Sequence, residues 1–374
     1  MGDSLNIAIL GAGCGGQAIA GFLASKGNKV NLYNRSPERI SPLLNKKEIH
    51  LQGEIQSVGE LNLVTTDISK AVYETDLIMV VTTATGHCDI AKALAPYLQR
   101  GQTIVLNPGR TFGSLEFMKT LIDGGLEAEV NVAEANTLIY ATRIIRPGLS
   151  EIKGIKKTVS LSVLPNHRTS YVVSLLNENY PQFYAVDNFL ITSLGNIGAV
   201  FHPTITLLNR ERIKKKEAFD SYREGATREV VEYMEQVDNE RRNIARKFGV
   251  EVQSLKEWLC ERYGLQEDNL YDALHQNPFY KGLSAPKSFD MRYLTEDIPT
   301  GLVPFSELAK TVGVDTYHID SLIKMASEEL RIDFRSEGRN LYRLGLNAKT
   351  IFEDLEKITK IEEITNYRMV SGET

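Results

Sequence analysis

A glycine-rich turn near the N-terminus, Gly11-Ala-Gly-Cys-Gly-Gly16, constrains the fold of this chain more than any other feature. It follows a short apolar run, Ile7 to Leu10, whose composition is typical of a strand buried on both faces of a parallel sheet. The stretch after the turn, from Gln17 to Lys26, has apolar residues at helical spacing and ends at Gly27. A strand, a G-x-G-x-x-G turn and a capped helix in this order predict a Rossmann-type dinucleotide site.

The residues of the turn have separate physical roles. Gly11 permits the tight turn, Gly13 lets the backbone approach a pyrophosphate, and Gly16 lets the helix pack closely against the strand. The free N–H groups and the partial positive charge of the helix N-terminus then face the phosphates. We therefore predict that this loop binds the cofactor through Gly11, Ala12, Gly13, Gly15 and Gly16.

The end of the second predicted strand, Lys29 to Tyr33, indicates which dinucleotide binds. An NAD site usually offers Asp or Glu there to the adenosine ribose, whereas this chain has Asn34-Arg35-Ser36 and no carboxylate before Glu38. An amide, a guanidinium and a hydroxyl can donate hydrogen bonds to a ribose 2′-phosphate, which a carboxylate would repel. The sequence therefore favours NADP(H), with NAD(H) as the alternative.

From residue 61 to residue 163, short apolar runs alternate with stretches of helical periodicity. Such alternation predicts a doubly wound parallel sheet whose ligands bind at the carboxyl ends of the strands. Small polar residues follow two of these ends, and we expect Thr82, Thr83, Asn107 and Gly109 to border the ribose and nicotinamide. Ordinary strand-to-helix turns are the alternative interpretation. The predicted strands are 61–64, 77–81, 103–106, 130–134 and 158–163, and the predicted helices are 68–73 and 87–98.

The length and a change of pattern predict two domains. A chain of 374 residues exceeds the usual size of one domain. We expect a Rossmann domain of the α/β class over residues 1–187 and an all-α domain over residues 188–374, because helical patterns dominate after Asn188. The predicted helices there are 188–200, 204–212, 219–248 as one long helix or a pair, 255–263, 271–276, 306–312 and 317–331, and residues 288–304 are expected to be irregular. Pro203 is expected to begin or kink the helix 204–212.

Composition argues against several classes of partner. The net charge is −5 and the one basic cluster, Lys214-Lys-Lys216, is short, so we expect no nucleic-acid binding. The three cysteines lie far apart without a C-x-x-C, and neither a disulfide framework nor a metal site is expected. No apolar run approaches the ~18 residues of a membrane span, and the N-terminus lacks the basic region of a signal peptide. We therefore expect a cytoplasmic protein without a membrane partner.

A proton donor for nicotinamide chemistry is sought first among the six histidines. His202 differs from the others because it interrupts an apolar helical stretch just before Pro203, where a buried polar group needs a partner. A core histidine bonded to backbone is the alternative. Asp297 is the best candidate for a carboxylate that orients and charges the imidazole, although its position also suits a helix cap.

Several motifs are spread over nearly the whole chain, namely Asn107-Pro-Gly109, Thr192-Ser-Leu-Gly-Asn196, His202-Pro203, Thr206-Leu-Leu-Asn209 and Arg292-Tyr-Leu-Thr-Glu-Asp297-Ile-Pro-Thr-Gly-Leu-Val-Pro304. Together with the first domain they resemble one family, the NAD/NADP octopine/nopaline (opine) dehydrogenases. The resemblance implies a Rossmann domain followed by a helical domain of the 6-phosphogluconate dehydrogenase C-terminal type. It also implies reductive condensation of an amino acid's amine with a 2-oxo acid such as pyruvate.

The resemblance assigns roles by position. His202 matches the family's catalytic histidine and Asp297 its aspartate partner, while Arg292 falls where the family has an arginine that suits a substrate carboxylate. The predicted substrate-binding set is Arg292, Arg143, Asn196 and Thr204. Many relatives use NAD with an acid after the second strand, and this chain departs from them there. Dimers are common in the superfamily, and the sequence leaves open whether this chain is a homodimer.

Two other functions remain as alternatives at this point. Simple reduction of a 2-oxo acid or ketone, as in ketopantoate reductase or glycerol-3-phosphate dehydrogenase, uses a related plan with a catalytic lysine. No lysine occurs in the helical stretch 188–212, which counts against it. A binding protein that senses NADP without turnover is the third hypothesis, and the His202, Asp297 and Arg292 set argues against it. The sequence does not identify the amino acid.

Overall fold

The structure, a computed structural model that describes residues 4–367, contains two compact units. The first comprises residues 4–109, 113–189 and 355–367, and the second comprises residues 110–112 and 190–354. A single boundary between 187 and 188, as the sequence predicts, misses the segments 110–112 and 355–367. Long-range contacts assign these two segments to their units, and a pattern read along the chain does not reveal such contacts. The ends of the two predicted domains, residues 1–3 and 368–374, lie outside the described residues.

The strands all belong to the first unit and form two sheets within the described part of the chain. Those of the main sheet that the sequence predicts are confirmed to within two residues at each end. In chain order the strands are β1 Asn6–Leu10, β2 Lys29–Tyr33, β3 Glu48–Gly53, β4 Ser57–Glu60, β5 Leu63–Thr65, β6 Leu77–Val80, β7 Thr103–Leu106, β8 Asn131–Ala135, β9 Tyr140–Arg146, β10 Leu149–Ile155, β11 Val159–Leu164 and β12 Phe183–Ala185.

The main sheet has eight strands in the order β12-β11-β8-β7-β6-β1-β2-β5. From β5 to β8 all neighbours are parallel, in the strand order of a doubly wound dinucleotide-binding fold. β11 joins antiparallel to β8, and β12 is parallel to β11. In the register, Leu10 lies opposite both Tyr33 and Val80, so the carboxyl ends of β1, β2 and β6 meet at one edge of the sheet.

A second sheet, in the order β4-β3-β10-β9, is absent from the sequence-based prediction. Its strands are short and half-buried, and their alternating pattern carries few apolar residues, such as Ile49 and Leu51 in β3. The helix after the glycine turn packs against it closely. A Cβ on Gly21 would lie 2.7 Å from Cγ2 of Ile49, so only glycine fits at this position without movement of the sheet.

The helices of the first unit follow the predicted alternation. Gly27, after the first helix, has a φ of +90°, as expected for a left-handed cap. The fourth helix is shorter than predicted, because Pro96 lies in a 3₁₀ turn, Ala95–Tyr97, that follows it directly. These helices are α1 Cys14–Ser25, α2 Pro37–Ile40, α3 Ile68–Val72, α4 His87–Leu94, α5 Gly113–Asp123 and α6 Thr169–Asn177.

The second unit is helical, as predicted. The chain from residue 189 forms α7 Phe189–Leu194, α8 Gly198–Leu208, α9 Arg210–Lys214, α10 Arg228–Lys247, α11 Leu255–Tyr263, α12 Leu270–Gln276, α13 Arg292–Thr295, α14 Val303–Val312, α15 Tyr317–Leu330, α16 Phe334–Glu337, α17 Leu341–Leu344 and α18 Ile351–Thr359. Contrary to the expectation that no apolar run approaches 18 residues, an 18-residue window within Phe189–Leu208 has the length and composition of a membrane span. However, 78% of that window is buried inside the protein, as in a core helix.

Three predictions in this unit are wrong in detail. Pro203 lies inside α8 instead of beginning or kinking the next helix. The helix predicted over 219–248 begins only at Arg228, because the Thr227 hydroxyl caps its first turn by accepting from the N–H of Val230. The segment 288–304, expected to be irregular, contains α13, a π-helical turn, Ile298–Leu302, and the start of α14.

Candidate active site and dinucleotide site

The glycine turn has the geometry that its sequence predicts. Gly11 has a φ of +114° and donates its N–H to the carbonyl oxygen of Tyr33 at 2.8 Å. A Cβ on Gly16 would lie 1.7 Å from the carbonyl oxygen of Gly11, so any side chain there would separate α1 from the turn. A Cβ on Gly15 would lie 2.9 Å from Leu138, whereas a Cβ on Gly13 would meet nothing within 4 Å.

This turn fits a dinucleotide phosphate. Gly13 precedes α1, and no side chain caps the first turn of that helix. The N-terminal N–H groups of this twelve-residue helix therefore follow directly on Gly13, the one glycine of the turn at which a Cβ would meet nothing within 4 Å. Donors, partial positive charge and free space coincide here, and these are what a pyrophosphate requires.

Asn34, after β2, is engaged with the glycine turn. Its Oδ1 accepts the N–H of Ala12 at 3.0 Å, and its Nδ2 donates to the carbonyl oxygen of Ser36 at 2.9 Å. Arg35 is 80% exposed and forms a 3.4 Å ion pair with Asp89, while Ser36 is exposed. An exposed ion pair of this kind contributes little to stability, so the guanidinium can turn to another anion.

The predicted loops at the carboxyl ends of β6 and β7 lie in the first unit with the glycine turn. Thr82 adjoins the turn, since a Cβ on Gly11 would lie 3.1 Å from its methyl group. The buried oxygens Oγ1 of Thr82 and Oδ1 of Asn107 have no hydrogen-bond partner among the described residues. Thr83 is exposed and bonds the Thr85 hydroxyl at 3.2 Å, and Gly109 donates its N–H to Ala135 at 3.0 Å.

In the second unit, His202 and Asp297 form a dyad, which the sequence predicts across 95 residues of chain. The Nδ1 atom of His202 lies 2.7 Å from Oδ2 of Asp297. The side chain of Asp297 is completely buried, and that of His202 is 19% exposed. Because Asp297 occupies Nδ1, Nε2 is the ring nitrogen available for proton transfer.

The local helices determine where these two side chains point. His202 lies in the middle of α8, immediately before Pro203. Asp297 lies between α13 and the π-helical turn, and its side chain makes no helix-capping bond. Its carboxylate therefore contacts His202 and does not cap the following helix. Single π-helical turns are often found at functional sites.

Arg110 completes a buried charged cluster that the sequence prediction missed. Its Nη1 lies 3.3 Å from the other oxygen of Asp297, Oδ1, and its Nη2 lies 3.5 Å from Oε2 of Glu296. The side chain of Arg110 is 8% exposed. Burial acts to lower the pKa of Arg110, but the Asp297 and Glu296 carboxylates more than offset it and the pKa is raised.

The pKa of Asp297 is lowered for a related reason. Burial favours the neutral acid, but the positive charges of Arg110 and His202, the hydrogen bond from His202 and the charge of Arg292 favour the carboxylate more strongly. Asp297 is therefore ionised at neutral pH. An ionised carboxylate can stabilise an imidazolium at 2.7 Å and hold the ring in one orientation.

Tyr293 packs on the dyad and was also missed. Its ring is stacked on that of His202, with centroids 4.3 Å apart and planes inclined by 16°. Burial raises the pKa of Tyr293, which stays neutral and polarisable beside the imidazole. Tyr293 lies in the short stretch Phe289-Asp-Met-Arg-Tyr293, which has no clear periodicity and offered no signal. The charge of Arg110, directly after Asn107-Pro-Gly109, was a signal that sequence reasoning could have used.

The four predicted substrate-binding residues have different positions. Arg292 is exposed and forms no ion pair with any residue between 4 and 367, yet its charge acts on Asp297. Asn196 is buried, donates Nδ2 to the Thr111 hydroxyl at 3.2 Å, and leaves Oδ1 without a partner in the described structure. Thr204 is buried and donates its hydroxyl to the carbonyl oxygen of Val200 at 2.6 Å, so we leave it out of the proposed site.

Arg143 belongs to the first unit, on the edge strand β9 of the second sheet. It forms a 2.7 Å ion pair with Glu151. The dyad belongs to the second unit, so the structure assigns Arg143 and the dyad to different units.

Family models match both halves of the chain. The model described as NAD/NADP octopine/nopaline dehydrogenase, alpha-helical domain, matches residues 185–330. The model described as NAD-dependent glycerol-3-phosphate dehydrogenase N-terminus matches residues 6–134. Among relatives, the chain is 39% identical over 349 residues to the opine dehydrogenase of Arthrobacter sp. (strain 1C), and the match covers 93% of this chain and 97% of that protein.

Two solved structures share the fold over almost the whole chain. Octopine dehydrogenase with NADH and L-arginine has a TM-score of 0.80 at 24% identity, covering 96% of this chain and 98% of that one. Yersinopine dehydrogenase with bound NADP⁺ has a TM-score of 0.70 at 14% identity, covering 96% of this chain and 99% of that one. The fold class predicted from the sequence is confirmed.

Proposed function

This chain belongs to the opine dehydrogenase family, and we propose that His202 and Asp297 are the groups that move protons in its reaction. It is an oxidoreductase that acts on CH–NH bonds, and its reaction is the reductive condensation of an amino acid's amine with a 2-oxo acid through an imine. The observation that supports this assignment of residues is the 2.7 Å contact between Nδ1 of His202 and the buried carboxylate of Asp297.

His202 can serve each proton transfer that the condensation needs. Addition of the amine to the oxo carbon creates a carbinolamine, and loss of water from it requires a proton on the leaving hydroxyl. The Nε2 atom of His202 can take a proton from the attacking amine and return it to that hydroxyl. Asp297 stabilises the imidazolium between these two transfers. A reduced nicotinamide dinucleotide, when bound, supplies the hydride that converts the imine to the secondary amine.

Arg292 is the proposed partner of a substrate carboxylate. Both substrates carry a carboxylate, and the exposed guanidinium of Arg292 forms no ion pair with another described residue. Guanidinium groups bind carboxylates through two parallel hydrogen bonds, which orient the substrate as well as attract it. Its electrostatic effect on Asp297 is consistent with a position beside the dyad.

The substrates of this chain are proposed by class. Octopine dehydrogenase has been solved with NADH and L-arginine and with NADH and pyruvate. We take pyruvate as the first 2-oxo acid to test and leave the amino acid to a screen. The test is NADPH oxidation by pyruvate with and without each amino acid, and we expect rapid oxidation only when both substrates are present.

NADP(H) is the proposed dinucleotide. The family description allows NAD or NADP, and yersinopine dehydrogenase has been solved with NADP⁺. NADP(H) is supported in this chain by Arg35 and the neighbouring Ser36, which are both exposed and could bind a ribose 2′-phosphate. Asn34 is not counted among these donors, because its side chain is already bonded to the glycine turn. We expect a higher kcat/KM with NADPH than with NADH.

We also propose a cytoplasmic location for this protein, which immunoblotting of fractionated cells would test.

Substitution of His202→Ala tests the catalytic assignment. Loss of a positioned acid–base group typically lowers the rate by ~10²- to 10⁴-fold. We expect this loss in kcat with little change in NADPH affinity, measured by fluorescence titration. The control is His50→Ala, which removes an exposed histidine on β3 paired with Glu48 in the first unit. Near-normal turnover by the His202→Ala protein would contradict the proposal.

A further inference from the structure

We propose that Arg110 is a positioning residue of the dyad, which binds the second oxygen of Asp297 and so holds its carboxylate ionised and directed at His202. This inference rests on the proposed function, because the dyad is assigned there. Arg110 lies 187 residues before Asp297 in the sequence and belongs to the three-residue segment 110–112 of the second unit.

The contacts of Asp297 divide between its two oxygens. Oδ2 lies 2.7 Å from His202, and Oδ1 lies 3.3 Å from Nη1 of Arg110. The contact at Oδ1 is an ion pair and not a hydrogen bond, and its attraction favours the orientation of the carboxylate in which Oδ2 faces the imidazole. Oε2 of Glu296 forms a second ion pair, at 3.5 Å, with the other terminal nitrogen of Arg110 and favours the same placement of the guanidinium.

The backbone around Arg110 is held in place by other residues of the second unit. Thr111 donates its N–H to Thr300 at 3.1 Å, and Phe112 donates its N–H to the Ser193 hydroxyl at 3.1 Å. Arg339 donates to the carbonyl oxygen of Thr111 at 2.9 Å. Arg110 itself has a φ of 64°, a left-handed conformation that persists in a non-glycine residue where its surroundings enforce it.

Gly198 provides a second observation that the guanidinium position is specified. This residue begins α8, the helix that carries His202. A Cβ on Gly198 would lie 2.5 Å from Nη1 of Arg110 and 3.3 Å from Oδ1 of Asp297. Glycine at position 198 therefore leaves room for the guanidinium of Arg110 beside the carboxylate of Asp297, where a side chain would displace it.

The charges around Asp297 explain why Arg110 is needed. Asp297 is completely buried, and burial alone would favour its neutral form. The groups that act on it are the cations Arg110 and Arg292, the imidazole of His202, the Glu296 carboxylate and the phenol of Tyr293. Arg110 makes the largest of the favourable contributions, and without it the pKa of Asp297 should rise.

The pH profile of Arg110→Met tests the inference. A cation within ~4–6 Å lowers a carboxyl pKa by about 1–3 units, so its removal should move the acid limb of kcat/KM to higher pH by about that much. Arg110→Lys retains the charge and should return the limb toward its original position, with a reduced rate because an ammonium cannot bind both carboxylates in parallel. An unchanged acid limb in Arg110→Met would overturn the proposal.

Two further variants separate positioning from general damage. Arg241→Met removes another buried arginine, paired with Asp238 at 2.6 Å, and should lower the thermal midpoint without moving the acid limb. Gly198→Ala retains Arg110 but should displace its guanidinium, and it should move the acid limb of kcat/KM in the same direction as Arg110→Met. Should Arg110→Met fail to fold, an unmoved limb in Gly198→Ala would overturn the proposal.

A measurement without substrates distinguishes failure of this inference from failure of the proposed function. In Arg110→Met the pKa of Asp297 should lie above that in the wild-type protein, so the variant loses less stability than wild type as the pH falls. The deficit in thermal midpoint relative to wild type should therefore narrow between neutral and mildly acidic pH. In an Asp297→Asn background the same deficit should depend less on pH, because Glu296 is then the only one of the two carboxylate partners of Arg110 that can still titrate. A deficit independent of pH in both backgrounds would overturn the role of Arg110, whereas a wild-type protein inactive on every substrate pair would overturn only the proposed function.

Discussion

The exchange Asp297→Asn isolates the contribution of the dyad carboxylate, because it removes the charge and keeps the shape of the side chain. The bond that it weakens joins Nδ1 of His202 to Oδ2 of Asp297 at 2.7 Å, a charge-assisted hydrogen bond in a completely buried setting. Such bonds contribute about 1.5–3 kcal/mol. The carboxylate is most useful when His202 carries a proton, so this energy is expressed mainly in the transition states of proton transfer.

At about 1.36 kcal/mol per tenfold change in rate, we expect kcat to fall by about 10- to 200-fold in Asp297→Asn. The assay is the initial rate of NADPH oxidation with saturating amino acid and 2-oxo acid at neutral pH. The KM for NADPH should be little affected, because the glycine turn and Arg35 lie in the first unit. The double variant with His202→Ala should lose little more than His202→Ala alone, since the two residues act together.

Asp238→Asn is the matched control for this experiment. Asp238 is also a nearly buried aspartate, paired with Arg241 at 2.6 Å, but it caps the N–H of Leu255 and does not contact the dyad. It should lower thermal stability and leave kcat near that of wild type. A kcat for Asp297→Asn equal to that of Asp238→Asn would refute the reasoning, because the carboxylate charge would then have no special effect on turnover.

Three further predictions follow from individual contacts. Gly16→Ala should abolish NADPH binding and lower the thermal midpoint, because its Cβ would lie 1.7 Å from a backbone oxygen. Gly13→Ala should weaken NADPH binding and leave the thermal midpoint unchanged, because its Cβ would meet nothing within 4 Å. Arg35→Ala should raise the KM for NADPH by about 10-fold or more, because a charged hydrogen bond contributes ~1.5–3 kcal/mol, and it should leave the KM for NADH nearly unchanged. An equal rise in the KM for NADPH and for NADH would argue against a 2′-phosphate as the partner of Arg35. Because the pKa of Asp297 is lowered in the folded protein, its carboxylate stabilises the fold fully above the unfolded-state pKa of about 3.9. This stabilisation is lost as the pH falls through the folded-state pKa, so Asp297→Asn should flatten the acid side of a plot of thermal midpoint against pH.

Much of the first unit follows from local sequence. β1, the glycine turn and α1 each depend on residues within a few positions of one another, and their bounds match the prediction closely. The second sheet was missed because β3 and β10 pair in parallel across about a hundred residues, and neither strand has an apolar pattern strong enough to be recognised alone. Pro203 was misread as a helix boundary, although it lies inside a buried helix whose packing tolerates the lost backbone bond.

The sequence by itself determined the fold class, the dinucleotide turn and the pair His202 and Asp297, because these depend on local periodicity, on turn chemistry and on motifs that resemble those of a known family. Only the tertiary structure decided what holds Asp297 in place. Arg110 reaches the dyad through the segment 110–112, which long-range contacts assign to the second unit, and there it forms ion pairs with Asp297 and Glu296. Burial and charge at a site depend on which distant segments pack there, and the order of residues along the chain does not state this.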